Sequence, residues 1–262
     1  MPRVGYYQFR PRFGRARENC DRVLRRLQDV EADLVVLPEL PFTGYLFRDR
    51  RELVGMAEDP RRSGIVDDLV ALCRARDLFL VTGFAEKDGD RCFNSSLLIG
   101  PRGIRRTYRK VHLFNKEKRW FDPGDLPFAV DRLRGTRVGM MICFDWVFPE
   151  VTRTLALRGA DLVVHPSNLV LDYCQRVMVA RCIENAVFAV TTNRYGEDRR
   201  PHGRVRFTGR SQITTPRGEV LRRAPSQRDE LFLCEIDTRE ARNKKMTPGN
   251  HILTDRRPEF YA

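Results

Sequence analysis

The sequence predicts an α/β fold: a four-layer αββα sandwich with an internal pseudo-two-fold repeat, built by residues 1–262 as one domain. Three observations predict it. Short apolar strands alternate with helical stretches along the chain. The second half then repeats the first in the same order. Finally, each half supplies helices for one face of one sheet, so the other face must be buried, and the other half is its simplest cover.

The repeat can be followed element by element. "RVGYYQF" (3–9) is a strand echoed by "RVGMMIC" (137–143). A helix follows in each half: 19–32 carries Val23, Leu24, Leu27 and Val30 near helical spacing, and 147–157 is its counterpart. "ADLVVLPEL" (32–40) and "ADLVVHPSN" (160–168) are the next strands. Second helices are expected over 65–72 and 177–187. "FNSSLLIGPRG" (93–103) and "FTGRSQITTPRG" (207–218) then read as hairpins turning on Pro-Arg-Gly. The tail, 237–262, is polar, broken by Pro248 and Pro258, and ends in Phe260 and Tyr261. It reads as an arm that docks on its own body or on a neighbouring subunit.

Composition narrows the function classes. Hydrophobic residues make up 42% and charged residues 32%, as in globular proteins. No apolar run approaches the roughly 20 residues of a membrane span. The start, "MPRVGYYQFRP", lacks an apolar signal region, so a cytoplasmic protein is expected. Seven scattered cysteines without a CxxC pair argue for reduced thiols, with Cys182 in the core, and against a zinc site. The four histidines show no metal-ligand spacing, and no cofactor is implied. The net charge of +13 raises nucleic-acid binding, but the arginines are dispersed among 35 acids with no basic tail. With 42 arginines among 48 basic residues, each of the six lysines stands out.

If the repeat builds a scaffold, departures from it mark function. The strand "LVVLPEL" ends with Glu39 where its echo has Ser167; the strand "RVGMMIC" ends with Cys143 where its echo has Phe9. Strand ends are where ligands collect in α/β sheets. A buried strand-end acid needs a partner. Lys110, closing the strand-like "GIRRTYRK", is the candidate: unlike an arginine it is a compact donor that orients a nucleophile and holds an oxyanion. A Cys–His pair through His112 or His165 is the competing arrangement. A basic binding protein without catalysis is a distant one, and it leaves Glu39 unexplained.

"LVVLPELPFTGY", "YRKVHLF" and "MICFDWVFPE", in this order and spacing, resemble the three motif blocks of the nitrilase superfamily of carbon–nitrogen hydrolases. "EKRWFDPGD" (117–125), "HPSNL" (165–169) and "ARCIENAVF" (180–188) extend the likeness over essentially the whole chain. The resemblance implies the same αββα sandwich and dimers that stack sandwich on sandwich. It implies Cys143 as nucleophile, Glu39 as general base, Lys110 as charged stabiliser and Glu117 as a second, supporting glutamate. The Phe144 backbone N–H would join Lys110 in stabilising negative charge. Tyr45, Trp146 and Asn168 are the expected pocket walls. The turn reads Cys-Phe-Asp rather than the Cys-Trp-Glu of true nitrilases, which favours a small aliphatic amide or N-carbamoyl substrate. The compact length and "MICFDW" also resemble short thermophile-type members described as nitrilases, so small aliphatic nitriles are the alternative.

Overall fold

The computed structural model describes residues 1–261; Ala262, the last residue of the expected arm, lies outside the described residues. The first half runs β1 (Arg3–Gln8), α1 (Ala16–Leu27), β2 (Leu34–Val36), α2 (Arg50–Val54), α3 (Gly64–Arg76), β3 (Phe79–Asp88), β4 (Arg91–Gly100) and β5 (Gly103–Arg109). The short helix α4 (Glu117–Trp120) and strand β6 (Val130–Leu133) follow. The second half begins with β7 (Thr136–Met140), a 3-10 turn (Cys143–Val147), α5 (Pro149–Leu157), β8 (Leu162–Ser167), α6 (Cys174–Asn185) and β9 (Phe188–Asn193). It closes with β10 (Tyr195–Arg200), β11 (Gly203–Thr208), β12 (Gln212–Thr214), β13 (Val220–Arg223) and β14 (Glu230–Glu235).

Two six-stranded sheets result, in the orders β14-β1-β2-β3-β4-β5 and β6-β7-β8-β9-β12-β13. The repeat extends to register: Val4 lies opposite Leu34, and Val138 opposite Leu162. It extends to polar anchors too. Asp33 N–H donates to the Arg3 carbonyl at 2.8 Å, and Asp161 N–H to the Arg137 carbonyl at 2.8 Å. Each aspartate returns a side-chain bond to the same arginine's N–H, at 2.8 and 3.0 Å. Helices α3 and α6 both end on a left-handed residue, Asp77 and Ala186, and the next N–H bonds back to Cys73 and Cys182 respectively. Both cysteines are buried core residues at matching places. The edge strands are exchanged: β6 follows the first half yet joins the second sheet, and β14 follows the second half yet joins the first.

Period-two alternation builds the layers. Val4, Tyr6, Leu34, Val36 and Val81 share a core cluster with Val138, Met140, Leu162 and Val164 of the other sheet. Tyr7, Val35, Leu37 and Leu80 turn the other way onto Cys20, Val23 and Leu27 of α1 and Ile65 and Leu69 of α3. Burial of each such side chain contributes about 1.5–3 kcal/mol. α3 starts where the Ser63 side chain accepts from Val66 N–H, and α5 where Pro149 presets the first turn. Helices α5 and α6 pack together, with α6 against β9 and β12, completing the four layers.

The sequence reading did not anticipate the β10–β11 hairpin, which pairs with neither sheet. In the tail, α7 (Thr238–Arg242) docks on the body through buried Ala241 and through Arg242, which bonds Asp161 at 3.0 Å, whereas Phe260 and Tyr261 stay exposed. Among the described residues no helix is long and apolar enough to cross a membrane, and all seven cysteines are free thiols.

Candidate active site

Three strand ends deliver the principal groups to one place. Beyond β2 the chain turns at Leu40 in the left-handed region (φ 46°), which aims Glu39 inward. Glycine is required opposite it: a Cβ on Gly83 would sit 2.6 Å from the Glu39 Cα. Lys110 directly follows β5, with its N–H on the Asn94 carbonyl (2.8 Å) and its carbonyl accepting from Gly124 N–H (2.9 Å). Gly124 also permits close approach, since a Cβ there would collide with the Arg109 carbonyl. Arg109 points to the other side, into Glu86, Asp88 and Asp125, so the neighbouring cation is structural.

Cys143 opens the 3-10 turn beyond β7 with φ 40°, a left-handed conformation that costs a non-glycine residue on the order of 1 kcal/mol or more. Two buried side chains hold it there. The carboxylate of Asp145 accepts from Ile142 N–H (2.9 Å), the Tyr108 hydroxyl (2.7 Å) and His112 Nδ1 (2.8 Å). His165 Nε2 donates to the Cys143 carbonyl at 2.9 Å, and the Thr191 hydroxyl donates to Nδ1 at 3.2 Å. The competing Cys–His arrangement is therefore not formed: His112 belongs to Asp145, and His165 grips the cysteine's backbone rather than its thiol.

That grip has a pH signature. Burial pushes His165 from its ordinary 6.5 down to about 4, so the ring is neutral in the fold. As pH falls below 6.5 the unfolded chain takes up this proton first, so stability present above 6.5 drains away toward pH 4. The loss through this group is about 3 kcal/mol. Urea unfolding from pH 7 to 4 should show wild type losing that much more than His165→Asn; equal losses would refute the assignment.

Lys110 is the hub of the charge cluster. Its Nζ lies 2.7 Å from Glu39 Oε1 and 2.8 Å from Glu117 Oε2, with all three side chains sealed from solvent. Burial opposes the ammonium, but Glu117 and Glu39 outweigh it and hold Lys110 well above the usual lysine range. Burial also raises Glu117, against the pull of Lys110. The Tyr45 hydroxyl donates to Glu117 Oε1 at 2.7 Å and Phe114 N–H to Oε2 at 3.2 Å. Asn94 Nδ2 donates to Glu39 Oε1 at 2.7 Å. Glu39 Oε2 remains without a partner, an expensive state for a buried carboxylate oxygen and a usable one for proton transfer.

The Cys143 thiol is held well above its ordinary value, first by burial and then by the Glu39 charge; Lys110 and the Asn168 backbone N–H pull the other way. It therefore rests as a thiol and needs a base. Phe144 N–H, in the first turn of the 3-10 helix, is a donor that a helix start leaves without an intrahelical acceptor. Cys143 lines a narrow cavity of about 20 Å³ together with Phe144, Trp146, Asn168, Phe114 and Val170. Both polar side-chain atoms of Asn168 lack partners.

Glu39, Lys110, Glu117 and Tyr45 thus form one bonded cluster, while Phe144, Trp146 and Asn168 stand around the thiol. Tyr45 is not a wall of that cavity; its hydroxyl is committed to Glu117. Sequence reasoning missed Asn94, Tyr108, Asp145 and the two close-approach glycines. Asn94 left one signal, a polar residue inside a strand pattern.

A family model for carbon–nitrogen hydrolases matches residues 2–245. The chain is 43% identical over 264 residues to a nitrilase of Pyrococcus abyssi, covering 100% of this chain and 99% of that one. It is 36% identical over 241 residues to an (R)-stereoselective amidase of Pseudomonas sp, covering 90% and 85%. Among solved structures, an amidase from Nesterenkonia sp. matches with TM-score 0.83 at 25% identity, over 98% of this chain and 94% of that one. With the match running through both sheets and all three strand ends, the chain belongs to the carbon–nitrogen hydrolases of the nitrilase superfamily.

Proposed function

We propose that this hydrolase cleaves the C–N bond of a small aliphatic amide or N-carbamoyl compound through a thioester on Cys143. The observation that carries the reading is the free Glu39 Oε2, on a carboxylate whose charge acts on the buried Cys143 thiol, with Lys110 fixed between two carboxylates. Glu39 takes the thiol proton as sulfur attacks the carbonyl carbon. The Lys110 ammonium and Phe144 N–H hold the oxyanion. Collapse breaks the C–N bond, Glu39 returns the proton to nitrogen, and ammonia leaves the thioester. Glu39 then deprotonates a water that attacks the thioester; the C–S bond breaks, and the proton goes back to sulfur. Glu117 and Tyr45 keep Lys110 aligned, and Trp146 and Asn168 bound the substrate.

The nitrile reading is favoured by the 43% identity to the Pyrococcus abyssi nitrilase. It shares the nucleophile and base but adds water to a thioimidate. Ammonia release from matched amides, N-carbamoyl compounds and aliphatic nitriles separates them. Faster release from amides or N-carbamoyl compounds supports the main reading, and release from nitriles alone replaces it. Silence with Cys143 inert to iodoacetamide would sink both.

The family resemblance also carries a homodimer. The exposed Leu157, Tyr173, Ile183, Phe260 and Tyr261 on α5, α6 and the tail support that assembly and the docking role of the arm. The free thiols fit a reducing, cytosolic setting.

A further inference from the structure

A second cavity, about 420 Å³, lies beside the thiol cavity. Phe114 and Val170 line both. Tyr45, whose hydroxyl holds Glu117, lines the larger one, so its floor is the back of the charge cluster. Its remaining walls are largely apolar, with Leu46, Trp120 and Val205 prominent. Its charge comes from Lys116, Arg204 and Arg206, and no acid lines it. Arg204 and Arg206 lie two apart on β11, on one face of that strand. Arg204 is paired with Glu197 at 2.6 Å. Glu197 lies opposite Arg206 in the hairpin register, yet its Oε2 goes to Arg204. Among the described residues Lys116 and Arg206 form no ion pair.

The space over the thiol holds little more than the reacting group itself, since about 20 Å³ is room for roughly one water-sized group. A substrate's acyl chain has to extend elsewhere, and the cavity that shares Phe114 and Val170 is adjacent. A largely apolar cavity lined by the unpaired cations Lys116 and Arg206 complements an aliphatic chain with an anionic end. We propose that this cavity is the acyl-chain subsite and that its rim selects amides whose far end carries a carboxylate, that is, monoamides of aliphatic dicarboxylic acids. The proposal rests on the amide reading given above and deepens it.

The test compares the monoamides of succinate, glutarate and adipate with butyramide, valeramide and hexanamide, their neutral counterparts of equal chain length. The readout is the ratio of kcat/KM for each charged and neutral pair. Wild type should prefer the charged member by about 10-fold at low salt, chiefly through KM, and the preference should shrink as salt screens the rim. Arg206→Gln should cut the ratio roughly 3- to 5-fold, and Arg206→Glu more. A ratio near one in wild type, or one unmoved by Arg206→Glu, overturns the proposal while leaving the amide reading intact. If no amide is hydrolysed, the amide reading fails, and the rim is judged by protection of Cys143 from iodoacetamide. Glutarate should slow alkylation in wild type and lose that effect in Arg206→Glu; no protection in wild type overturns the proposal.

Discussion

Cys143→Ala should abolish hydrolysis, a loss of roughly 10⁴-fold or more, because the proposed covalent step has no other nucleophile within the cluster. The fold should scarcely notice. The substitution removes one sulfur atom beside an existing cavity, and alanine bears the same left-handed backbone (φ 40°), so stability should change by about 1 kcal/mol. Cys143→Gly is the informative companion. Glycine adopts positive φ without steric cost, so this variant should be more stable than Cys143→Ala by about 1 kcal/mol while equally inactive. Stability at this position is thus set against reactivity, as expected where a turn presents a nucleophile. Kinetics with urea unfolding on the two variants checks both halves. Residual turnover in the alanine variant within 10-fold of wild type would remove Cys143 from the mechanism.

Lys110→Met should be the most damaging single change to the fold. Glu39 and Glu117 are sealed from solvent, and among the described residues Lys110 is the one cation bonded to both. Removing it leaves two buried carboxylates facing each other, a destabilisation of about 3–5 kcal/mol. The sign of the pH dependence follows. Burial raises Glu117 even with the lysine present, and without it the folded-state value must rise further. A group whose folded pKa is raised contributes stability below its unfolded pKa and loses it as pH rises. The destabilisation of Lys110→Met relative to wild type should therefore be smaller near pH 5 than near pH 8. Converting Glu39 and Glu117 to glutamine in the same chain should recover most of the loss, since the damage lies in uncompensated charge. Urea unfolding at both pH values decides the matter: a Lys110→Met protein as stable as wild type at pH 8 would show that water reaches these carboxylates.

Much of this was written in the chain because the repeat is local in character. The "RVG" and "ADLVV" echoes carry their own strand patterns, and identical registers at Val4–Leu34 and Val138–Leu162 follow from them. Departures from the echo located Glu39 and Cys143, since a scaffold position has no reason to exchange a serine for an acid or a phenylalanine for a thiol. His165 was a departure of the same kind, but its meaning lay in a contact with the Cys143 carbonyl that depends on two strands meeting. Asp145 looked like an ordinary turn acid; its importance comes from Tyr108 and His112, more than thirty residues away. Gly83 and Gly124 were illegible for the opposite reason, since what they contribute is the absence of a side chain where another segment's backbone passes. The arginines, dispersed among acids in the sequence, are in many cases ion-paired, with Arg109 serving three acids at once.

The exchange of β6 and β14 bears on how the protein is made. β1 leaves the ribosome before the other strands of both sheets, and its outer partner, β14, is the last strand of either sheet, with Arg3 pairing to Glu235 and Gln8 to Glu230. Until β14 has emerged the first sheet waits with one edge bare, its backbone donors and acceptors open to any other strand. Long-range pairing of this kind also closes slowly. A nascent chain stalled or cut before residue 230 would carry every group of the charge cluster and the Cys143 thiol, yet be an aggregation hazard rather than a smaller enzyme.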